Sequence, residues 1–304
     1  MDACSQKHRM RNGVQKISST MNTVNQAAVS DSQAGPAYEL VRSFVAIDNF
    51  PPRPLQCDGN PCLLELHDSA PTDVPAVGGV SVQCQSWRVA SGQELCIAVC
   101  CFSAGGQVIQ CCGHGLLAAA YSWHRRLLCG SLLLSMNGSR VPSWQEGDLT
   151  WLRFARPQLH SHSVPAWLAE VFTGQGQAHA AALADDASGY LVLQWPDGFD
   201  LRRLQRPTAT LADCTGRALI CTSACPDWGE GAIQMRYFAP QYGVDEDAAT
   251  GSAMRILAQY WSHRFSHLTA YQCSPAGGVL LSRHAGEYVE VGGRCASEAM
   301  DTHD

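Results

Sequence analysis

The amino-acid sequence predicts an α+β protein made of two similar halves that face each other across a cleft. Short β-rich runs dominate it, two helical stretches stand out among them, and those two stretches resemble each other. Cys112–Trp123 (CGHGLLAAAYSW) laid over Thr250–Trp261 (TGSAMRILAQYW) pairs Gly113 with Gly251, Ala120 with Ala258 and Trp123 with Trp261. Small residues also coincide at Gly115 and Ala253. Each segment follows a β-rich run and starts its helix with a glycine turn, so the repeat marks a pseudo-symmetric pair of domains and not a solenoid.

Residues 1–37 read as a disordered N-terminal extension, 38–155 as the first half and 156–304 as the second. The extension has no apolar stretch of the kind a secretory signal needs. In the first half, strands are expected at Val41–Ile47, Cys62–Leu66, Leu95–Phe102, Ser131–Met136 and Leu149–Phe154, with a helix over Leu116–Leu128. Turns fall at Asp58-Gly59-Asn60-Pro61 and Asn137-Gly138. In the second half, strands are expected at Tyr190–Gln194, Ala218–Thr222, Ile233–Phe238, Val279–Ser282 and Tyr288–Val291, the last ending at Gly292-Gly293. A helix runs from Thr250 to about Trp261, and another is expected over Leu201–Leu211, cut short by Pro207. His160-Ser-His162 reads as loop, and Gly174-Gln-Gly176 follows no strand, so it is no dinucleotide fingerprint.

Composition excludes several functions. The net charge is −6 and no basic run is long enough to track a phosphate backbone, which argues against nucleic acid as a partner. The longest apolar stretches, Leu95–Phe102 and Leu127–Met136, fall well short of the ~18–20 residues a membrane helix needs. Fifteen cysteines is an odd number with no C-x-x-C pair, so neither a disulfide framework nor a zinc site is expected. Most read as small buried hydrophobes in a reducing cytoplasm.

The two glycine turns carry the chemistry. A helix start exposes unpaired backbone N–H groups and a partial positive charge. Two such starts facing one cleft would hold a carboxylate and stabilise an enolate-like charge beside it. That suits proton abstraction next to a carboxyl group without a cofactor or metal. Cys112 sits where a helix N-terminus lowers a thiol pKa, and His114 titrates near neutrality. Asp245-Glu246-Asp247 lies just upstream of Thr250. A lone His or Cys is more often structural, and three acids beside a turn are more often solvated; only their shared place on the repeated turns favours chemistry.

The run Gln241–Ala253 resembles the G-x-x-E-D-x-x-T-G-S-A signature of the PhzF (phenazine biosynthesis) family, preceded by Arg236-Tyr-Phe-Ala-Pro240 as that family's R-x-F-x-P. Cys112-Gly-His-Gly-Leu-Leu117 is similar to its C-G-H-A-x-L motif, and Asp48-Asn-Phe50 with Gly59-Asn-Pro61 to its D-x-F … G-N-P. The resemblance runs from about Tyr38 to Ala296. It implies two diaminopimelate-epimerase-like domains, each a β-barrel-like sheet around a central helix. It further implies a cofactor-independent isomerase or epimerase-type enzyme acting on a small carboxylate, and a homodimer. By this resemblance His114 and Asp247 are active-site groups, with Cys112 as a further proton carrier. Gly113, Gly115, Thr250, Gly251, Ser252 and Asn60 would bind the substrate.

One departure stands out. The family's S-E-x-x-F segment, which carries a catalytic Glu, corresponds to Val82–Val89, where no Glu is present and Gln85 falls closest to its place. Gln has no titrating group. Dehydration or cyclisation using Cys112, or a non-catalytic metabolite-binding role, therefore stands beside isomerisation.

Overall fold

The computed structural model describes residues 36–299 apart from 53, 74–79, 81, 92–93, 173–175, 186–188 and 208–209. Most of the expected extension, 1–37, and part of the Pro71–Gly79 stretch lie outside the described residues.

A closed eight-stranded barrel forms first. Its strands are β1 (Ala37–Val45), β2 (Asn60–His67), β3 (Val82–Ser91), β4 (Glu94–Ser103), β5 (Ser131–Met136), β6 (Ser139–Glu146), β7 (Leu149–Ala155) and β15 (Tyr288–Ala299). The last of these arrives from the far end of the chain and pairs antiparallel with both β7 and β1, which shuts the barrel. Helix α1 (Gly113–Leu127) crosses from β4 to its parallel neighbour β5 and threads the barrel, touching all eight strands. Eleven of its fifteen residues are buried, as a helix enclosed on every side requires. Its three alanines favour the helix and leave room for the barrel wall, while His124, Arg125 and Arg126 in its last turn complement the C-terminal dipole.

The second half repeats the order on an open sheet: β8 (Leu159–His162), β9 (Ala180–Ala184), β10 (Tyr190–Gln194), β11 (Ala218–Ala224), β12 (Ala232–Phe238), β13 (His267–Gln272) and β14 (Gly278–Ala285), ending on β15. Parallel pairs β10–β11 and β12–β13 answer β2–β3 and β4–β5 of the first half. Helix α4 (Gly251–Tyr260) makes the β12-to-β13 crossing as α1 does its own. The repeat extends to single bonds: Trp123 Nε1 donates to Ser86 Oγ on β3 at 2.9 Å, and Trp261 Nε1 to Thr222 Oγ1 on β11 at 3.1 Å. One apolar core joins both helices to the inner faces of both sheets. A second lies on the outer face of β10 and β11, under α2 (Leu168–Val171), α3 (Thr210–Cys214) and their loops. All this belongs to one compact unit beginning at Pro36. We propose the boundary between the halves at 155/156, in the link from β7 to β8, with β15 shared.

Three expectations are corrected. Leu201–Leu211 is not one helix: a 3-10 turn at Leu201–Arg203 ends in extended backbone at Leu204, and α3 starts separately. Arg236 takes the Leu201 and Leu204 carbonyls that a continuing helix would have used. His160–His162 is the edge strand β8, paired with β9 while its side chains face solvent. Gly292-Gly293 does not end a strand but lies inside β15: a Cβ at Gly292 would meet the Trp151 ring at 2.5 Å, and one at Gly293 would meet Phe44 at 2.6 Å. The edge strand β8, its neighbour β9 and the strands β3, β6 and β13 escape the sequence reading.

Candidate active site

The starts of α1 and α4 meet backbone to backbone. Their cap residues share one conformation, φ −118° and ψ 92° at Cys112 against φ −114° and ψ 93° at Thr250. A Cβ on Gly113 would stand 2.6 Å from the Gly251 carbonyl carbon and 2.6 Å from the Ser252 nitrogen, so only glycine permits the approach. Neither cap side chain closes an ordinary capping hydrogen bond onto its helix, which leaves first-turn N–H groups of both helices for another acceptor. Phe44, at the bulge of β1, is wedged beneath them with φ 66°, a strained conformation for a bulky residue; its ring lies against Gly251 and Gly293, and its carbonyl oxygen against Gly278.

On the α1 side, Cys112 Sγ lies 3.7 Å from His114 Nδ1, and both residues are buried. The Cys101 thiol donates to the Cys112 sulfur and the His114 ring faces it, which together hold Cys112 well below the usual thiol pKa against the cost of burial. Burial opposes charge on His114, but Cys112, Asp247 and Cys84 together outweigh it and lift the imidazole to about 9. The two groups thus shift in opposite directions, each favouring the charged form of the other. Cys84 is drawn down as well, by the thiols of Cys101 and Cys62. Its own Sγ faces the Gly115 carbonyl oxygen at 3.9 Å. Ser43 Oγ fixes the start of α1 by donating to the His114 carbonyl at 2.9 Å.

On the α4 side, Asp247 accepts from Asn60 Nδ2 at 2.8 Å, from the Ala248 N–H at 2.9 Å and from Thr250 Oγ1 at 2.7 Å. Gln272 braces this loop: its Oε1 accepts from the Thr250 N–H at 2.7 Å and its Nε2 donates to the Asp247 carbonyl at 2.7 Å. The three neighbouring acids have three fates. Asp245 is exposed, Asp247 enters the site, and Glu246 forms a bidentate pair with buried Arg236 at 2.7 and 2.8 Å. Arg236 thus serves to anchor the loop that presents Asp247. Ser252 hydrogen-bonds Tyr190 across the start of α4.

Asn60 joins the two sides. Its Nδ2 donates to Asp247 and to the Ala249 carbonyl at 2.8 Å, and lies 3.4 Å from His114 Nδ1. Its Oδ1 and His114 Nε2 are both buried and have no hydrogen-bond partner among the described residues. Such orphaned groups are uncommon and leave hydrogen-bonding capacity beside the two helix starts.

The structure brings together Cys112, His114, Asp247, Asn60, Gly113, Thr250, Gly251 and Ser252. Gly115 has a different part, packing against the sulfurs of Cys101 and Cys112. Gln85 does not join them. Cys84 and Ser86 point into the barrel toward α1, so strand alternation sends Gln85 to the opposite face. There its Nε2 donates to Glu65 Oε2 at 2.9 Å and to the Asp73 carbonyl at 3.1 Å. Sequence reasoning missed Ser43, Phe44, Cys101 and Gln272, none of which falls in a recognisable motif. Among the described residues, no group of three or more His, Cys, Asp or Glu side chains is arranged to hold a metal ion, and no helix is long and apolar enough to cross a membrane.

Comparison with known proteins places the chain among relatives and finds its fold in solved structures. An uncharacterized isomerase of Pseudomonas aeruginosa is 52% identical over 60 residues, which cover 19% of this chain and 23% of that one. A phenazine biosynthesis-like domain-containing protein of Bos taurus is 47% identical over 64 residues, 22% of its length, so these matches span under a quarter of either relative. A second uncharacterized isomerase of Pseudomonas aeruginosa is 30% identical over 194 residues, covering 62% of this chain and 71% of that one. Among solved structures, a PhzF-family protein of Enterococcus faecalis superposes with a TM-score of 0.70 at 21% identity, covering 88% of this chain and 98% of that one. A predicted epimerase of Pseudomonas aeruginosa gives a TM-score of 0.63 at 20% identity, covering 88% and 100%. These two show a shared fold. The family model for phenazine biosynthesis-like proteins matches residues 101–301, both helix starts included, and the chain belongs to that family.

Proposed function

We propose that the protein is a cofactor-independent isomerase or epimerase-type enzyme that moves a proton at the carbon beside the carboxylate of a small, amino-acid-like metabolite. The observation that carries this reading is the pair of abutting helix starts, with the unpartnered His114 Nε2 and Asn60 Oδ1 beside them. The isomerase and epimerase names of the relatives support it.

In this reading the substrate carboxylate takes the N–H groups of Gly113, Gly251 and Ser252, and the two helix dipoles offset the charge that builds as the neighbouring proton leaves. The Cys112 thiolate is the base. His114, as imidazolium, donates through Nε2 to the developing oxyanion or returns the proton. Asp247, committed to three donors, orients the substrate's polar group and serves the opposite face.

Solvent exchange tests it. In deuterated water a substrate carboxylate should take up deuterium at its alpha carbon, and Cys112→Ser, His114→Ala or Asp247→Asn should each reduce the uptake by about 10²–10⁴-fold. Undiminished exchange in all three variants would overturn these roles.

One observation favours a second reading. The described inner-face residues of β3, Val82, Cys84 and Ser86, include no carboxylate, so nothing there replaces the family's Glu. With Cys112 as the principal base, dehydration or cyclisation competes with isomerisation, and a product lighter by one water would identify it. A non-catalytic homologue would instead gain thermal stability from ligand and show no exchange at all.

A further inference from the structure

Four buried thiols lie behind the start of α1. Cys101, fully buried on the inner face of β4, lies beside Cys112 on one side and Cys84, its register partner, on the other; Cys62 follows Cys84. All are free thiols. The packing of Gly115 shows how close the first pair stands. A Cβ at that position would lie 2.5 Å from Cys101 Sγ and 3.0 Å from Cys112 Sγ. The family motif places Ala here, and in this chain the Cys101 sulfur takes up the space of that methyl group. Cys112 thus has a second sulfur against it, and the His114 ring at 3.7 Å to exchange protons.

We infer that Cys101 is the resolving partner of Cys112, so that hydrogen peroxide closes a reversible disulfide between them at the start of α1. The Cys112 thiolate attacks one peroxide oxygen and the O–O bond breaks. Sulfur is oxidised to a sulfenic acid, and the departing hydroxide takes the His114 proton and leaves as water. The Cys101 thiol then passes its proton to His114 and attacks the Cys112 sulfur. The S–O bond breaks, and the hydroxyl recovers that proton to leave as a second water. Two thiols and one peroxide give one disulfide and two waters. The closed form removes the thiolate beside the paired helix starts. The inference depends on the thiols alone and stands whether or not the proposed isomerisation does.

Its test is hydrogen peroxide applied to the full chain, followed by digestion after Phe102, which separates the two cysteines, and mass spectrometry without reductant. The expected product is the Cys101 peptide joined to the Cys112 peptide, lighter by two hydrogens and released by dithiothreitol. Cys101→Ser should lose that link and accumulate Cys112 sulfenic acid, trapped as a dimedone adduct. Gly115→Ala keeps both thiols, yet its methyl group displaces the Cys101 sulfur, and it should lose most of the link. Three results overturn the inference: Cys112 untouched by peroxide, oxidation running straight to sulfinic acid in the wild type, or Cys112 joined to another cysteine.

Discussion

The two helix starts are alike in backbone and unlike in chemistry. Cys112 and Thr250 hold dihedral angles within a few degrees of each other, and the glycine after each lies against the other. Around the α1 start the polar groups are sulfur and imidazole, set in a barrel closed on all sides. Around the α4 start they are a carboxylate, a hydroxyl and two amides, cross-linked to a loop that the Arg236–Glu246 pair pins down. Duplication supplies a symmetric cradle of N–H donors, which suits a symmetric anion such as carboxylate. Divergence of the flanking residues then gives each face of the cradle its own proton chemistry.

Substituting the glycines should break this symmetry most strongly. The Gly113 Cβ would meet backbone atoms, which cannot turn aside, whereas the Gly251 Cβ would meet the Phe44 ring at 2.9 Å and Gly113 at 3.1 Å. Gly113→Ala should therefore cost the upper part of the ~1–3 kcal/mol seen for overpacking and abolish turnover, with Gly251→Ala milder in both. Urea denaturation and solvent exchange would measure it, and equal effects would show that the contact yields equally from either side.

Titration should separate the two starts next. The Cys112 pKa is depressed, so its alkylation by iodoacetamide at pH 7 should exceed that of an ordinary thiol by on the order of tenfold. His114 is raised from 6.5 to about 9, so its contribution to stability is complete below pH 6.5 and is lost as pH rises through 9. The thiolate's contribution is lost in the other direction, as pH falls through its depressed value. His114→Ala should remove the step near pH 9 and slow alkylation at neutral pH. A profile that rises only near pH 8.5 in the wild type would show that no such pair exists.

The smallest effects should be equal ones. Ser86→Ala and Thr222→Val each strand a buried tryptophan N–H at equivalent places in the two halves, and each should lower stability by about 1–2 kcal/mol. Unequal losses would locate where the halves have diverged in packing.

Much of this was legible in the sequence because local rules apply to it. Ser131–Met136 and Tyr190–Gln194 are strands with the expected bounds, since each is an apolar run between turn residues. The glycine turns and their helices follow from a cap position, a glycine and small residues. Gln85 shows the limit. Motif spacing brought it to the right strand, but spacing does not say which face of a strand a residue occupies, and a shift of one residue reverses it. Arg236 shows another: its motif marks it as important, while only the structure shows it bonded to Glu246 and taking the carbonyls of Leu201 and Leu204.

The sequence by itself determined the α+β class, the repeat, the family and the residues on both turns, because each depends on neighbours within a dozen positions. Tertiary structure alone decided that β15 returns across the chain to close the first barrel, that Asn60 and Asp247 meet, and that Cys101 rests against Cys112. These contacts join residues from 11 positions apart, as in Cys101 and Cys112, to 260, as in Glu39 and Ala299, and are fixed by register and packing, which no local pattern records.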